Sequence, residues 1–364
     1  MKLLIVTQIV DTEDPVLGFF ARWIEEFAKH AECIEVICLK EGKYELPANV
    51  RVHSLGKERN VSRVRYILNF YAYIWKLRNE YDTVFVHMNP EYIALGGILW
   101  RGMGKRIALW YTHKSVDLQL RVAEVLANII FTASKESFRL KSRKVQVMGH
   151  GIDTDFFSPG NTQRGTNALS AGRLSPTKRH DLIIRAAAHF PQDLRIVGDG
   201  PERARLEALV EELGLGSRVQ FLGAGTQEML RDEYRRAGVF AHASETGSLD
   251  KVVLEALACG LPVVTTNAAL GDLPVTHVAA TPEGITRGVG EVSKTDLRTL
   301  IAYVREHHSL PSLIERIVAT LSRTTITFDV LSARGQCALY TVCNTDPITY
   351  GPHSQHESRE APRQ

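Results

Sequence analysis

The sequence predicts an α/β protein of two successive doubly wound domains, each a mostly parallel sheet with helices on both faces. Three observations carry this. The chain has 364 residues, long for one core and comfortable for two. Apolar β-rich runs alternate with amphipathic helical patterns almost throughout, the signature of parallel strands joined by helices. The alternation pauses once, at the polar, turn-forming FFSPGNTQRGTN (Phe156 to Asn167), and then restarts.

The strand candidates of the first half are KLLIVTQ, IEVICLK, TVFVHM, RIALWY, IIFTAS and VQVMGH, with helical segments such as GFFARWIEEFAKH and LNFYAYIWKLRNEY between them. After the pause come NALSAG, DLRIVGDG, RVQFLG, GVFAHAS and LPVVTT. The predicted domains are therefore 1–160 and 161–310, followed by a helix at 311–322 in LPSLIERIVATL. Residues 323–364 show no sustained period and end rich in Pro, His, Ser and Arg, which reads as an irregular, disordered tail.

Composition narrows the class. Apolar residues make up 44% and charged residues 23%, as in soluble globular proteins. A formal charge of +3 does not suggest a nucleic-acid binder. The five cysteines are scattered, with no CxxC or Cys/His spacing suited to a metal, so they read as free thiols of a reducing cytoplasm. The opening MKLLIVTQIV runs straight into DTEDP without a cleavage site and reads as a first strand. The longest apolar stretches, such as YIALGGILW, are too short to span a bilayer.

Three segments carry chemistry. In GRLSPTKRHD a strand runs into a turn and a helix, with Arg173 and Lys178 five positions apart. Such a turn aims two cations and free helix N–H groups at one anion, a phosphate or diphosphate being the natural guest. Two solvated surface cations near a helix start are the plainer reading of the same residues. VGDGPE holds only two glycines of a dinucleotide loop and reads as a tight turn, with Pro201 opening the next helix. In SETGSLDKVVLEALACGLPVV, a loop holding Gly247, Ser248 and Leu249 leads into a helix that ends at Gly260. Glu255 lies among apolar neighbours in that helix, where a carboxylate needs donors if it is buried. The vicinal hydroxyls of a ribose would supply them, while a Glu on the solvent side of the helix would need nothing.

Taken together and in this order, GRLSPTKRHD, VGDGPE, VQFLG and KVVLEALACGLPVV, with GHGIDTDFFSP before them, resemble the retaining glycosyltransferases of family 4, over roughly residues 1–320. The resemblance implies the GT-B architecture: two Rossmann-like domains facing a central cleft. It implies that Arg173 and Lys178 hold the diphosphate of a nucleotide-sugar, that Glu255 binds the ribose, and that Phe221 and Leu222 lie near the base. His113, at the end of RIALWY, matches the histidine that faces the donor sugar. His87 and Asn89, after TVFVHM, fall on the acceptor side, His150 at the hinge, and Gly18 at the loop whose amides approach the diphosphate. One departure stands out. The family carries a first acid eight residues before the ribose Glu, and here that position is Gly247. Glu245 is the favoured replacement, with Asp250 or the loop amides as alternatives.

The implied reaction moves a hexosyl unit from a nucleoside diphosphate sugar, a UDP-sugar by expectation, to a glycan or lipid-linked acceptor with retention. It uses no cofactor or metal and belongs to cell-surface polysaccharide or glycolipid synthesis in the cytoplasm. Asp153-Thr154-Asp155 has the DxD form of metal-dependent transferases, but its place beside the hinge speaks against a metal. The stretch Gly56 to Arg78 mixes Lys and Arg with Tyr, Phe and Trp at helical spacing. Most such stripes are ordinary core with a solvated face, and peripheral contact with the inner face of a membrane is the alternative. Two other classes share the architecture. A nucleotide-sugar epimerase would interconvert sugars without acceptor, and a non-catalytic binding protein would hold the nucleotide without turnover.

Overall fold

The computed structural model describes residues 1–322, apart from residues 15, 162, 272 and 293–295, together with two short strands further on. Two parallel sheets organise residues 1–321. The first comprises β1 (Lys2–Val10), β2 (Cys33–Glu41), β3 (Val50–Ser54), β4 (Thr83–His87), β5 (Arg106–Trp110), β6 (Ile129–Thr132) and β7 (Val145–Val147), in the order β3-β2-β1-β4-β5-β6-β7. The second comprises β8 (Ala168–Ala171), β9 (Leu194–Val197), β10 (Val219–Gly223), β11 (Val239–His242), β12 (Val263–Thr265) and β13 (Thr276–His277), in the order β10-β9-β8-β11-β12-β13. Each sheet reverses direction beside its first strand, so ligands are expected at the carboxyl ends of β1 and β4 and of β8 and β11.

Covered on both faces, the central strands are near-continuous apolar runs, which is why they were legible as strands. On one face of the first sheet, α1 (Phe19–Ala28) packs Phe20, Trp23, Ile24 and Phe27 into the core. The other face carries α2 (Arg63–Lys76), α3 (Pro90–Gly102) and α4 (Leu118–Leu126), anchored by Phe70, Ile74, Ile93, Trp100 and Leu120. Ser62 and Asp117 cap α2 and α4 by accepting backbone N–H bonds, the expected use of these residues at a helix start.

Around the second sheet lie α5 (His180–Ala187), α6 (Arg203–Glu212), α7 (Gln227–Arg236), α8 (Lys251–Ala258), α9 (Pro282–Glu291) and α10 (Leu297–His308). The helix α6 begins at Arg203, so Pro201 sits in the preceding turn rather than opening the helix. The last helix, α11 (Leu310–Ser322), returns to the first lobe and buries Leu313, Ile314 and Ile317 beside α1.

The chain thus crosses between lobes twice, and the crossings are stitched together. Ile152 N–H donates to His308 O at 2.8 Å, and Leu310 N–H donates to Ile152 O at 2.8 Å. Glycine is required at Gly149, whose φ is +78° and whose added Cβ would lie 2.9 Å from His307 O. No helix among the described residues is long and apolar enough to cross a membrane. The tail read as irregular lies outside the described residues, apart from β14 (Thr327–Phe328) and β15 (Tyr340–Thr341), which pair antiparallel.

Candidate active site

A cleft of about 420 Å3 opens at the carboxyl ends of β1, β4 and β5. His87, Asn89 and His113 all line it, joined by His150 and by Lys251 from the second lobe. His87 is buried, with Nδ1 3.3 Å from Thr7 Oγ1 and its ring stacked 3.8 Å from that of Phe20. Burial, reinforced by the Lys251 charge, pushes its pKa down to about 3, so the imidazole is neutral at neutral pH. Asn89 donates through Nδ2 to Glu91 Oε1 at 2.8 Å, and His113 is exposed at the rim. Between them Met88 adopts φ +67°, unusual for a side chain of its size. Strain of this kind is often kept where a site is shaped.

The opposite wall is ionic. Asp250 Oδ2 accepts from Lys178 Nζ at 2.9 Å and lies 2.8 Å from His242 Nε2. His242 is held in turn through Nδ1, 3.0 Å from Thr265 Oγ1. Burial by itself would raise the Asp250 pKa. The His242 hydrogen bond and the Lys178 charge outweigh it and hold the carboxyl well below the usual range. Glu255 is buried one helical turn into α8. Its Oε1 is 3.1 Å from Lys251 Nζ, and its Oε2 accepts from Tyr234 OH at 3.4 Å. Lys251 Nζ also sits 3.7 Å above the Phe19 ring, so this cation ties α8 to α1.

The lobes meet again where Lys114 Nζ donates to Thr246 O. Gly247 is needed there: its φ is +57°, and an added Cβ would lie 3.1 Å from Lys114 Nζ. Ser248 O accepts from Asn267 Nδ2 at 3.0 Å, and Leu249 O lies 2.9 Å from His150 Nε2, so the whole loop is pinned from both sides. Burial lowers the His150 pKa to about 4, the Leu249 carbonyl opposing and the Lys251 charge assisting, which keeps this contact neutral.

Arg173 differs from its neighbours. Among the described residues its exposed guanidinium has no hydrogen bond or ion pair, leaving all its donors available. The turn that presents it is braced by the VGDG loop, where Leu174 N–H donates to Asp199 O at 2.9 Å. Cβ atoms added at Gly198 and Gly200 would lie 2.0 Å from Gly172 O and 2.4 Å from Leu174 O. These two glycines therefore permit loop-on-loop contact. Phe221 lies mid-way along β10 beneath the Arg203 guanidinium, 5.0 Å from ring centroid to charge, with Leu222 half-buried beside it.

Two expected positions come out differently. Glu245 turns to Arg179 at the surface, its side chain 55% exposed, and Asp250 is the acid that meets Lys178. The reason is local: Glu245 N–H is tied to Thr177 O at 2.9 Å, which faces its side chain outward. Gly18 offers no free amide, because its N–H donates to Asp14 O at 3.0 Å. An added Cβ there would lie 2.6 Å from the same oxygen, so close packing explains the glycine. The DxD segment is likewise occupied. Asp153 Oδ1 accepts from the backbone of Asp155 and Phe156, and Oδ2 is 3.6 Å from Arg22. Sequence reasoning missed Lys251, Lys114 and His242. For Lys251 the signal was present, as a Lys four residues before Glu255 on one helix.

Comparison with known proteins follows the same division. Residues 151–273 match the family described as glycosyl transferases group 1, and residues 12–127 match the family described as glycosyl transferase 4-like. Over residues 151–273 the chain is similar to the group 1 glycosyl transferases. Among curated relatives of this family, the D-inositol 3-phosphate glycosyltransferase of Mycobacterium sp. (strain KMS) is 34% identical over 199 residues, covering 50% of this chain and 42% of that protein. The chain thus matches less than half the length of that relative. In fold, it resembles Anabaena HepE crystallised in complex with UDP, at TM-score 0.70 and 18% identity, over 88% of this chain and 100% of that one. The sucrose-phosphate synthase of Thermosynechococcus elongatus gives TM-score 0.69 at 18% identity, over 87% of this chain and 98% of that one. Both lobes and the cleft between them are those of the GT-B glycosyltransferase fold.

Proposed function

We infer that this protein is a retaining glycosyltransferase that moves a hexosyl unit from a UDP-sugar to a glycan or lipid-linked acceptor, without a metal. The observation that supports it is the Arg173–Lys178 turn at the carboxyl end of β8. Among the described residues Arg173 is unengaged and Lys178 is fixed by Asp250, in a lobe whose neighbouring loop is pinned to the first lobe by Lys114. A diphosphate seated there would meet one forked cation and one point charge.

The barrier to transfer lies in separating a diphosphate anion from an oxocarbenium-like sugar. Charges already in place where that anion develops lower the barrier without reorganisation. Asp250 and His242 keep Lys178 aimed, and Asp250 is the carboxylate best placed to meet sugar hydroxyls. Glu255 is the ribose acceptor in this reading, with Lys251 and Tyr234 sharing its oxygens. The first-lobe wall, neutral at His87 and open at His113, receives the acceptor. A front-face route, in which the leaving phosphate oxygen takes the acceptor proton, accounts for retention. Among the described residues the thiols of Cys33, Cys38 and Cys259 are free, in keeping with work in the cytoplasm on cell-surface polysaccharide or glycolipid.

Calorimetric titration with UDP, GDP and ADP tests the reading. UDP is expected to bind, and to lose affinity in Arg173→Ala. Silence for all three nucleotides overturns it.

A further inference from the structure

Nine of the twelve large apolar side chains exposed among the described residues lie on α2, α3 and α4, the layer covering one face of the first sheet. They form solvent-facing stripes. On α2, Val64, Leu68 and Trp75 stand four and seven positions apart, on the side away from the buried Phe70 and Ile74. On α3, Ile98 and Leu99 stand three and four positions from Leu95, opposite Ile93 and Trp100. Trp75 is 62% and Ile98 72% exposed. Tyr71 OH donates to Leu95 O at 3.1 Å, which joins the two stripes into one surface, and α4 extends it with Leu118.

The charge on these three helices is predominantly basic. The α2 helix carries Arg63, Arg65 and Lys76, all exposed, and no acid. Arg101 and Arg121 are exposed on α3 and α4. The two acids of those helices are engaged, Glu91 by Asn89 and Glu124 by Ser142. The second lobe provides an internal control, because α6 presents Arg205, Glu207, Glu211 and Glu212 to solvent in the ordinary mixture. A layer helix of this fold therefore has no intrinsic need of an apolar outer face.

We propose that the outer face of α2, α3 and α4 docks on a bilayer surface bearing anionic headgroups. Apolar stripes enter the acyl boundary, Trp75 sits at headgroup depth, and the arginines and lysine reach phosphates along the rim. A continuous apolar surface with a predominantly basic rim complements anionic lipid, whereas a second copy would set mostly like charges against each other. The attachment is independent of the transfer reaction, so either can fail without the other.

The test is sedimentation of the full chain with phosphatidylcholine vesicles, with and without phosphatidylglycerol. Binding to the anionic vesicles alone is expected, weakening as salt rises. Trp75→Ala with Ile98→Ala should lower partitioning by about tenfold or more, and Arg65→Ala and Lys76→Ala by about fivefold each. Unchanged circular dichroism and melting temperature show that these exposed substitutions leave the fold intact. The proposal is overturned if the chain stays in the supernatant with anionic vesicles. It is also overturned if the apolar pair of substitutions leaves partitioning unchanged, or if that pair instead abolishes a dimer formed without lipid.

Discussion

On the first lobe the cleft meets Phe19, Trp23, Trp110 and an uncharged His87, whereas the second lobe presents Lys178 with Asp250, Arg179 with Glu245 and Lys251 with Glu255. The same doubly wound architecture thus supports two unlike surfaces at its carboxyl ends. An aromatic, neutral wall suits the apolar faces of a sugar ring, and its few polar groups fix orientation. An ionic wall suits a charged leaving group. In the proposed reading the contrast gives the acceptor to one lobe and the donor to the other, and each prediction that follows strains one side of it.

Arg173→Ala should have the largest effect. Because the guanidinium has no partner among the described residues, removing it leaves no orphaned charge behind, and the melting temperature should stay within a degree or two, as for other neutral surface changes. If it serves the developing anion, kcat/KM should fall by about a hundred- to a thousandfold. A variant as active as the parent would remove the donor assignment from this lobe. A variant that loses stability in step with activity would mark Arg173 as structural.

Acid should act next, and on both lobes. Burial depresses the pKa of His87 to about 3, with Lys251 assisting. It lowers His180 to about 4, with Lys178 and His242 assisting and Asp181 opposing. His308 also falls to about 4 by burial, with His150, His307 and Arg316 nearby. Each of these folded-state values lies below that of an unfolded histidine, so the unfolded chain binds more protons between the two. Their contribution is therefore complete above about pH 6.5, and each site loses about 1.4 kcal/mol per pH unit as pH falls toward its folded value. Denaturant midpoints measured from pH 7 to pH 4.5 should drop steeply. The replacement His87→Gln should shallow the slope by one such increment, and an unaltered slope would mean that His87 is not held neutral.

How far the sequence could be read follows from the same physics. Parallel strands covered on both faces must be apolar along their length, so β1, β4, β8 and β11 announced themselves and with them the fold class. Arg173, Lys178 and Glu255 stand out only through the resemblance of their motifs to the family 4 glycosyltransferases, since spacing by itself leaves the plainer readings open. What spacing does not carry is the direction in which a loop side chain turns. Gly18 looked like an amide donor, yet its N–H closes a turn on Asp14. Lys114 is one residue beyond His113 and drew no notice, because its partner lies 132 positions away at Thr246. The buried Glu255 was expected to await hydroxyls, and Lys251, four residues earlier in the same helix, already supplies it with a charge.

The smallest expected effect decides which acid belongs to the ionic wall. Glu245 and Arg179 form a surface pair, with side chains 55% and 31% exposed, and such pairs contribute about 0–1 kcal/mol. Glu245→Gln should therefore shift stability by less than about 1 kcal/mol and leave kcat/KM within about twofold, since a screened contact of this size alters little. Asp250 stands in the opposite condition, nearly buried between Lys178 and His242. Asp250→Asn keeps the shape and removes the charge that holds Lys178, so a clear fall in kcat with little change in nucleotide affinity is expected. Measured side by side, the two variants separate the acids. Should Glu245→Gln prove the more damaging, the surface pair rather than the buried one would face the sugar, and the division of the two walls would have to be redrawn around Arg179.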